Sequence, residues 1–262
     1  MAKVLAVAAN KGGVGKTSLV TNLAGAIVSK SPNKRVLIID TDGQGNASIA
    51  FGVNPGALGK SIYDVFTQEA SVAQATIQAV IGIDLLPSNQ DMSVWEMEVL
   101  SRMSQQTSPF TILKSLIDPI RNQYDYILID TPPSLGLVTG NVLAAVDEII
   151  IPFVPETFAV QGLVRVVETM RDFANRINPS LQLAGIVGVM VDQRTTLHSE
   201  MLQQARQYCT THYLKMFETI IPRSIRFANS TAYAGKPATL SDRNNPIVSA
   251  YFDLLEEMFN ND

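Results

Sequence analysis

The stretch AANKGGVGKTS, residues 8–18, decides how this chain folds. It follows VLAVAA, an apolar run over residues 4–9, and leads into helical periodicity over 17–29. Strand, glycine-rich turn and helix in that order form the setting of a phosphate-binding loop, usually written G-x-x-x-x-G-K-[ST]. Gly15-Lys16-Thr17 supplies the end of that pattern, but its first glycine is replaced by Asn10, and a second lysine, Lys11, stands directly after it. Gly12, Gly13 and Gly15 allow backbone N–H groups to turn inward around phosphate oxygens, and a helix N-terminus near Lys16 adds its dipole. Lys16 is expected at the β- and γ-phosphates and the Thr17 hydroxyl on magnesium. The expected nucleotide-binding loop is therefore Lys11, Gly12, Gly13, Val14, Gly15, Lys16, Thr17 and Ser18.

Beyond this stretch, further apolar runs alternate with helical patterns. RVLIID (35–40), IDLLP (83–87), YDYILID (124–130), EIIIPF (148–153), LAGIVGVMV (183–191) and FETIIP (217–222) read as strands. Several have apolar stretches that do not alternate, as strands covered on both faces do. Residues 110–122, 160–177 and 198–213 carry helical spacing. Alternation of this kind predicts an α/β fold of the P-loop NTPase type, a doubly wound, mostly parallel sheet with helices on both faces. No repeat or long linker divides the chain, so residues 1–262 are expected to form one ATPase domain. Residues 52–103, rich in scattered Gly, Pro, Gln and Ser, are the least regular and are expected to cover the sheet or form a variable face. Within them Met92, Trp95, Met97 and Met103 are expected to pack in the core, with a cargo-adaptor or dimer face as the alternative.

A phosphate loop needs acids at the carboxyl ends of neighbouring strands, where ligands gather in open sheets. YDYILID ends in Asp130, and RVLIID ends in Asp40 with Asp42 two residues on. Acids spaced by two on a strand share a face, so Asp40 and Asp42 are expected to face the phosphates together. Asp followed by Thr or Gly is also ordinary turn chemistry; three such acids beside one loop favour the site.

Composition narrows the function. The chain has 262 residues, 46% hydrophobic and 17% charged, with a net charge of −4, which fits a globular protein rather than one coated in nucleic acid. Charge is unevenly distributed, however: residues 190–245 hold seven Lys/Arg against four acids, which leaves room for a basic face. Cys209 is the only cysteine, which excludes an internal disulfide and a cysteine-held iron–sulfur cluster. No apolar run is long enough for a membrane span, and the opening residues are too short for a secretory signal, so a cytoplasmic location is expected. His198 and His212, fourteen residues apart with no acid cluster between them, read as surface or capping residues.

Several motifs together carry a family resemblance. Lys11-Gly12-Gly13-Val14-Gly15-Lys16-Thr17 resembles the deviant Walker A motif of the ParA/MinD superfamily of ATPases, whose mark is the additional lysine. VLIIDTDGQGNAS resembles that family's D-x-D-P-Q-G-N motif, with Gly43 in place of proline, and YDYILIDTPPSLG its Walker B strand. IPFVPETFAVQGL is similar to the stretch that follows, and TIIPRSIRFANSTAYAGKPATL to a late I-P-R-x-x-R-x-x-E-A-x-x-x-G-K-P element, here without its glutamate. These late segments look most similar to small ParA/Soj partition ATPases.

The resemblance implies ATP and Mg²⁺ as cofactors and an ATP-dependent homodimer in which Lys11 reaches the phosphates held by the partner subunit. It implies catalytic roles for Lys11, Lys16 and Asp42, the last on the attacking water, and places Thr17, Asp40 and Asp130 around magnesium. Asp192 and Pro222-Arg223 would hold the adenine. It further implies nonspecific binding to nucleoid DNA, with Arg223, Arg226, Lys236 and Arg243 as candidate phosphate contacts, and a ParB-like or other adaptor that stimulates hydrolysis. The cargo would be a plasmid or chromosome, or alternatively a protein assembly such as carboxysomes or chemoreceptors. A MinD-like attachment to membrane is the other alternative, but the amphipathic segment NPIVSAYFDLLEEMFNND (245–262) is acidic where anionic lipid would demand lysines. It reads as a terminal helix packed on the sheet, and no membrane insertion is expected. With the loop ten residues in, an N-terminal helix-turn-helix domain is not expected either.

Overall fold

The computed structural model describes residues 1–102 and 109–259. Its strands are β1 (Lys3–Val7), β2 (Val36–Asp40), β3 (Ile77–Val80), β4 (Ile83–Leu86), β5 (Tyr126–Asp130), β6 (Glu148–Phe153), β7 (Gln182–Val191) and β8 (Met216–Pro222). Among the described residues they form one eight-stranded sheet in the order β3-β4-β2-β5-β1-β6-β7-β8, parallel except for β3 against β4. All seven apolar runs read from the sequence are strands of this sheet, which bears out the expected fold. β3 was not anticipated: IQAV is short, mostly half-buried and at the sheet edge, so it lacks the continuous apolar run of an interior strand.

The helices are α1 (Lys16–Lys30), α2 (Asn46–Ala50), α3 (Ile62–Phe66), α4 (Val72–Ala75), α5 (Asp91–Arg102), α6 (Ile112–Ile117), α7 (Leu137–Ala145), α8 (Ala159–Arg176), α9 (Thr196–Thr211), α10 (Ile225–Asn229), α11 (Ala238–Ser241) and α12 (Pro246–Phe259). Side chains alternate across each strand. Leu5, Val7, Ile38, Leu128 and Ile150 meet α1, α2 and α12 on one face. Val4, Ala6, Ile39, Ile129 and Ile151 meet α3 and α5 to α9 on the other. The terminal segment is a helix on the sheet, as expected, with Val248, Tyr251, Leu254 and Leu255 buried.

In the irregular middle segment Met92 and Trp95 are buried, whereas Met97 is 73% exposed on the outer face of α5, contrary to expectation. Met103 lies outside the described residues. Among the described residues no helix is long and apolar enough to cross a membrane.

Strand β1 sits where the order reverses: the chain leaves β1 for β2 on one side and passes from β5 to β6 on the other. At such a switch point the loops after neighbouring strands part and leave a crevice. Val7, Asp40 and Asp130 are in register at the carboxyl edge, so the residues that follow them surround this crevice.

Candidate functional site

The phosphate loop leaves β1 and enters α1 through Gly15, whose φ of 77° lies in the left-handed region that favours glycine. Lys16 opens α1 and is only 6% exposed. Its Nζ donates to the carbonyl of Lys11 at 3.2 Å. Burial lowers its pKa, while the charges of Asp130 and Asp42 draw it back up. A cation is thus held inside the loop beside two acids from neighbouring strand ends.

Thr17, one residue on, donates its hydroxyl to Asp130 Oδ2 at 2.6 Å. Asp130 is completely buried, and burial pushes its pKa up to about 7 against the opposing pull of Thr17 and Lys16. Its Oδ1 has no hydrogen-bond partner. A buried carboxylate oxygen without a donor, next to a threonine hydroxyl, fits a hard divalent cation that takes oxygen ligands.

Asp40 is also fully buried but is turned under the loop: Oδ1 accepts from the Asp42 amide at 3.1 Å and Oδ2 from the Ala47 amide at 3.0 Å. Desolvation, with the charge of Asp130 added, raises its pKa well above the carboxylate range. β2 ends at Asp40, so strand alternation no longer governs Asp42. Asp40 shapes the turn, and Asp42, half-buried, is left toward Lys16 while accepting the Gln44 amide at 3.0 Å.

On the sheet's α1 side a cavity of about 1060 Å³ opens beside the loop, lined by Thr17, Ser18, Met190, Pro222, Arg223 and Tyr251 among others. That is room for a nucleoside next to the phosphates. Ser18 Oγ and the buried Tyr251 hydroxyl lie 2.9 Å apart, so α12 braces the first turn of α1. Nothing in the sequence pattern links these two residues.

The geometry agrees with what the chain is similar to. A family model described as an AAA domain matches residues 2–183. The chromosome partitioning protein ParA of Caulobacter vibrioides is 34% identical over 98% of this chain and 93% of its own length. Soj of Bacillus subtilis, the sporulation initiation inhibitor protein, is 32% identical over 98% of both chains. The chain belongs to the ParA/MinD superfamily. Among solved structures, cobyrinic acid a,c-diamide synthase from Mycobacterium smegmatis with a bound ATP analogue and magnesium is 28% identical, with a TM-score of 0.82 over 98% of this chain and 93% of that one.

As a ParA/MinD member the chain is defined by its second loop lysine, and Lys11 points away from its own loop. It pairs with Glu156 Oε2 at 2.5 Å, across a surface where its side chain is 63% exposed. The Lys11 ammonium holds the Glu156 carboxyl below its ordinary value. Glu156 lies just after β6, next to Phe158, which is 73% exposed at a φ of 64°. Val14 lines a second, largely apolar cavity of about 320 Å³ together with Lys11, Glu156 and Phe158.

The remaining candidates divide. Pro222 and Arg223 line the large cavity, where the Arg223 amide donates to Val191 O at 3.0 Å. The Asp192 carboxylate is instead gripped by Arg194 through Nε at 2.9 Å and a terminal nitrogen at 2.8 Å, which holds it well below the usual carboxylate range. The Asp192 amide donates to His198 Nδ1 at 3.0 Å, and the His212 ring contacts Tyr208 O at 2.9 Å, both local caps as expected. Arg223, Arg226, Lys236 and Arg243 are all exposed on the segment after β8, and Arg226 pairs with Asp242 at 3.2 Å.

Proposed function

We propose that this chain is an ATPase whose ATP-bound form dimerises, binds DNA without sequence preference on the nucleoid, and positions a plasmid or chromosome with an adaptor that stimulates hydrolysis. The observation that carries the reading is the buried Lys16 set between Asp42 and the Thr17–Asp130 pair, with a second, exposed lysine one loop-width away. Gly12, Gly13 and Gly15 would cradle the phosphates, with the base in the cavity beside Pro222 and Arg223. Thr17 and Asp130 would hold magnesium, with Asp40 behind them; bound there, the ion would neutralise charge on the phosphate oxygens. Asp42 would orient the attacking water, and Lys16 would balance charge gathering on the transferred group.

The dimer is supported by the face that carries Lys11. Lys11, Glu156 and Phe158 are exposed together, and a bulky residue held at positive φ on a surface marks a conformation retained for a contact. Supplied to a second subunit, the Lys11 charge would make association depend on the γ-phosphate. DNA binding is supported by the exposed cations after β8.

The test is binding of nonspecific duplex DNA with ATP, with ADP and without nucleotide, across a salt series. Binding confined to the ATP state and steeply weakened by salt is expected. Equal binding in all three states would separate DNA from the nucleotide switch, and no binding in any would remove DNA from the function.

A further inference from the structure

Helix α5 presses on both nucleotide-facing loops. Gly43, next to Asp42, is buried, and a Cβ built on it would lie 2.7 Å from Ser93 Oγ. Gly136, at the end of the loop that follows Asp130, would place a Cβ against Glu96 Oε1. At both positions a Cβ would push the end of an α5 side chain aside, so these glycines let Ser93 and Glu96 come close to the two loops. The departure at Gly43 from the family's proline thus coincides with a helix seated on that position.

The second contact is a hydrogen bond. Glu96 Oε1 accepts the amide of Leu137 at 2.5 Å. Leu137 is the first residue of α7, so a carboxylate satisfies an otherwise orphaned donor at the positive end of a nine-residue helix. Ser93 and Glu96 are three residues apart and therefore neighbours on one face of α5. The adjoining face is anchored: Met92, Trp95 and Val99 are buried, and Trp95 meets Phe66 edge-on at 4.8 Å.

We propose that α5 clamps the Asp42 and Asp130 loops in one relative position, with Glu96 as a positioning residue. Resting on the ATPase reading, the proposal assigns α5 a part in turnover that the phosphate loop and the strand-end acids do not supply. Glu96 fixes the start of α7 and through it residues 131–136; Ser93 limits how far the loop at Gly43 can swing. Glu96 meets the start of α7 and not the phosphate loop or the large cavity, which would supply most of the nucleotide affinity, so disturbing the clamp lowers kcat and spares KM.

Glu96→Ala, Glu96→Gln and wild type are compared in ATP turnover and in amide exchange over residues 131–141, with the single tryptophan, Trp95, reporting the helix by fluorescence. For Glu96→Ala, kcat is expected to fall about tenfold at unchanged KM, and the Leu137 amide to exchange at least about tenfold faster, as the loss of one charge-assisted hydrogen bond implies. Glu96→Gln keeps an accepting oxygen and should recover most of both. Wild-type exchange and kcat in Glu96→Ala, or a Gln variant as impaired as the Ala variant, would overturn the proposal. The first contact is checked independently: Gly43→Ala slows turnover and Ser93→Ala in the same chain restores it, whereas no restoration removes α5 from the effect. A wild type that hydrolyses no ATP defeats the ATPase reading, and the exchange result still decides the clamp.

Discussion

Replacing Asp130 by Asn should stabilise the nucleotide-free protein at alkaline pH while weakening its response to magnesium and ATP. The folded state holds the Asp130 proton up to a pH of about 7, whereas an unfolded aspartate releases it near 4. Between those values the folded chain binds more protons than the unfolded one, so its stability falls as pH rises and levels off above 7. Keeping the carboxylate ionised at pH 8 therefore destabilises the fold by on the order of 4 kcal/mol.

Asparagine removes that charge, and its oxygen can still accept from Thr17. Its NH₂ group would take the place of the unpartnered Oδ1, a buried unmatched donor that costs about 1–2 kcal/mol. The net gain at pH 8 is about 2–3 kcal/mol, on the order of 5–10 °C in melting temperature, and it vanishes near pH 5. Thermal denaturation of both proteins at pH 5 and pH 8, with and without magnesium and ATP, reads all of this. With both ligands added the wild type should gain more than the variant, because only the carboxylate attracts the ion. A variant that melts at or below wild type at pH 8, or a difference that does not change with pH, would refute the account of Asp130 as a strained, metal-ready acid.

Lys11→Ala should leave melting unchanged, since it breaks only an exposed pair, yet abolish ATP-dependent dimers in light scattering; normal dimerisation and turnover would remove Lys11 from the switch. Asp42→Ala should bind ATP and remain dimeric without releasing phosphate, whereas wild-type turnover would take Asp42 off the water. Arg226→Ala should weaken ATP-state DNA binding uniformly across sequences and lower the salt slope by about 1, and an unchanged slope would discard it as a phosphate contact. Tyr251→Phe, which deletes only the hydroxyl facing Ser18, should lower stability by about 1 kcal/mol, or roughly 2–4 °C.

Interior strands and the phosphate loop were legible because their signals are local. Apolar runs such as VLIID and YILID are buried on both faces and announce themselves, and Gly15-Lys16-Thr17 carries its geometry in adjacent residues. Asp130 was legible for the same reason, as a polar residue closing an apolar strand. Asp40 looked identical in sequence but is committed to the amides of Asp42 and Ala47, because the chain turns back over it as soon as β2 ends. The brace of Tyr251 on Ser18 and the cap of Glu96 on Leu137 join residues 233 and 41 positions apart. Pairings of that range follow from how the helices stack on the sheet, and no spacing rule encodes them.

The same distance effect explains why Lys11 could be singled out but not its partner. Glu156 follows it by 145 positions and meets it only because β6 lies beside β1. On the dimer reading this pairing has a consequence for the switch. Without nucleotide, the pair with Glu156 keeps Lys11 at the exposed rim, where a second subunit would meet it. An exposed ion pair stabilises little, so a γ-phosphate presented by a second subunit, more highly charged than one carboxylate, can displace Glu156 readily. The exchange would then favour the dimer only while that phosphate is present, and Glu156 would recover the lysine when it leaves.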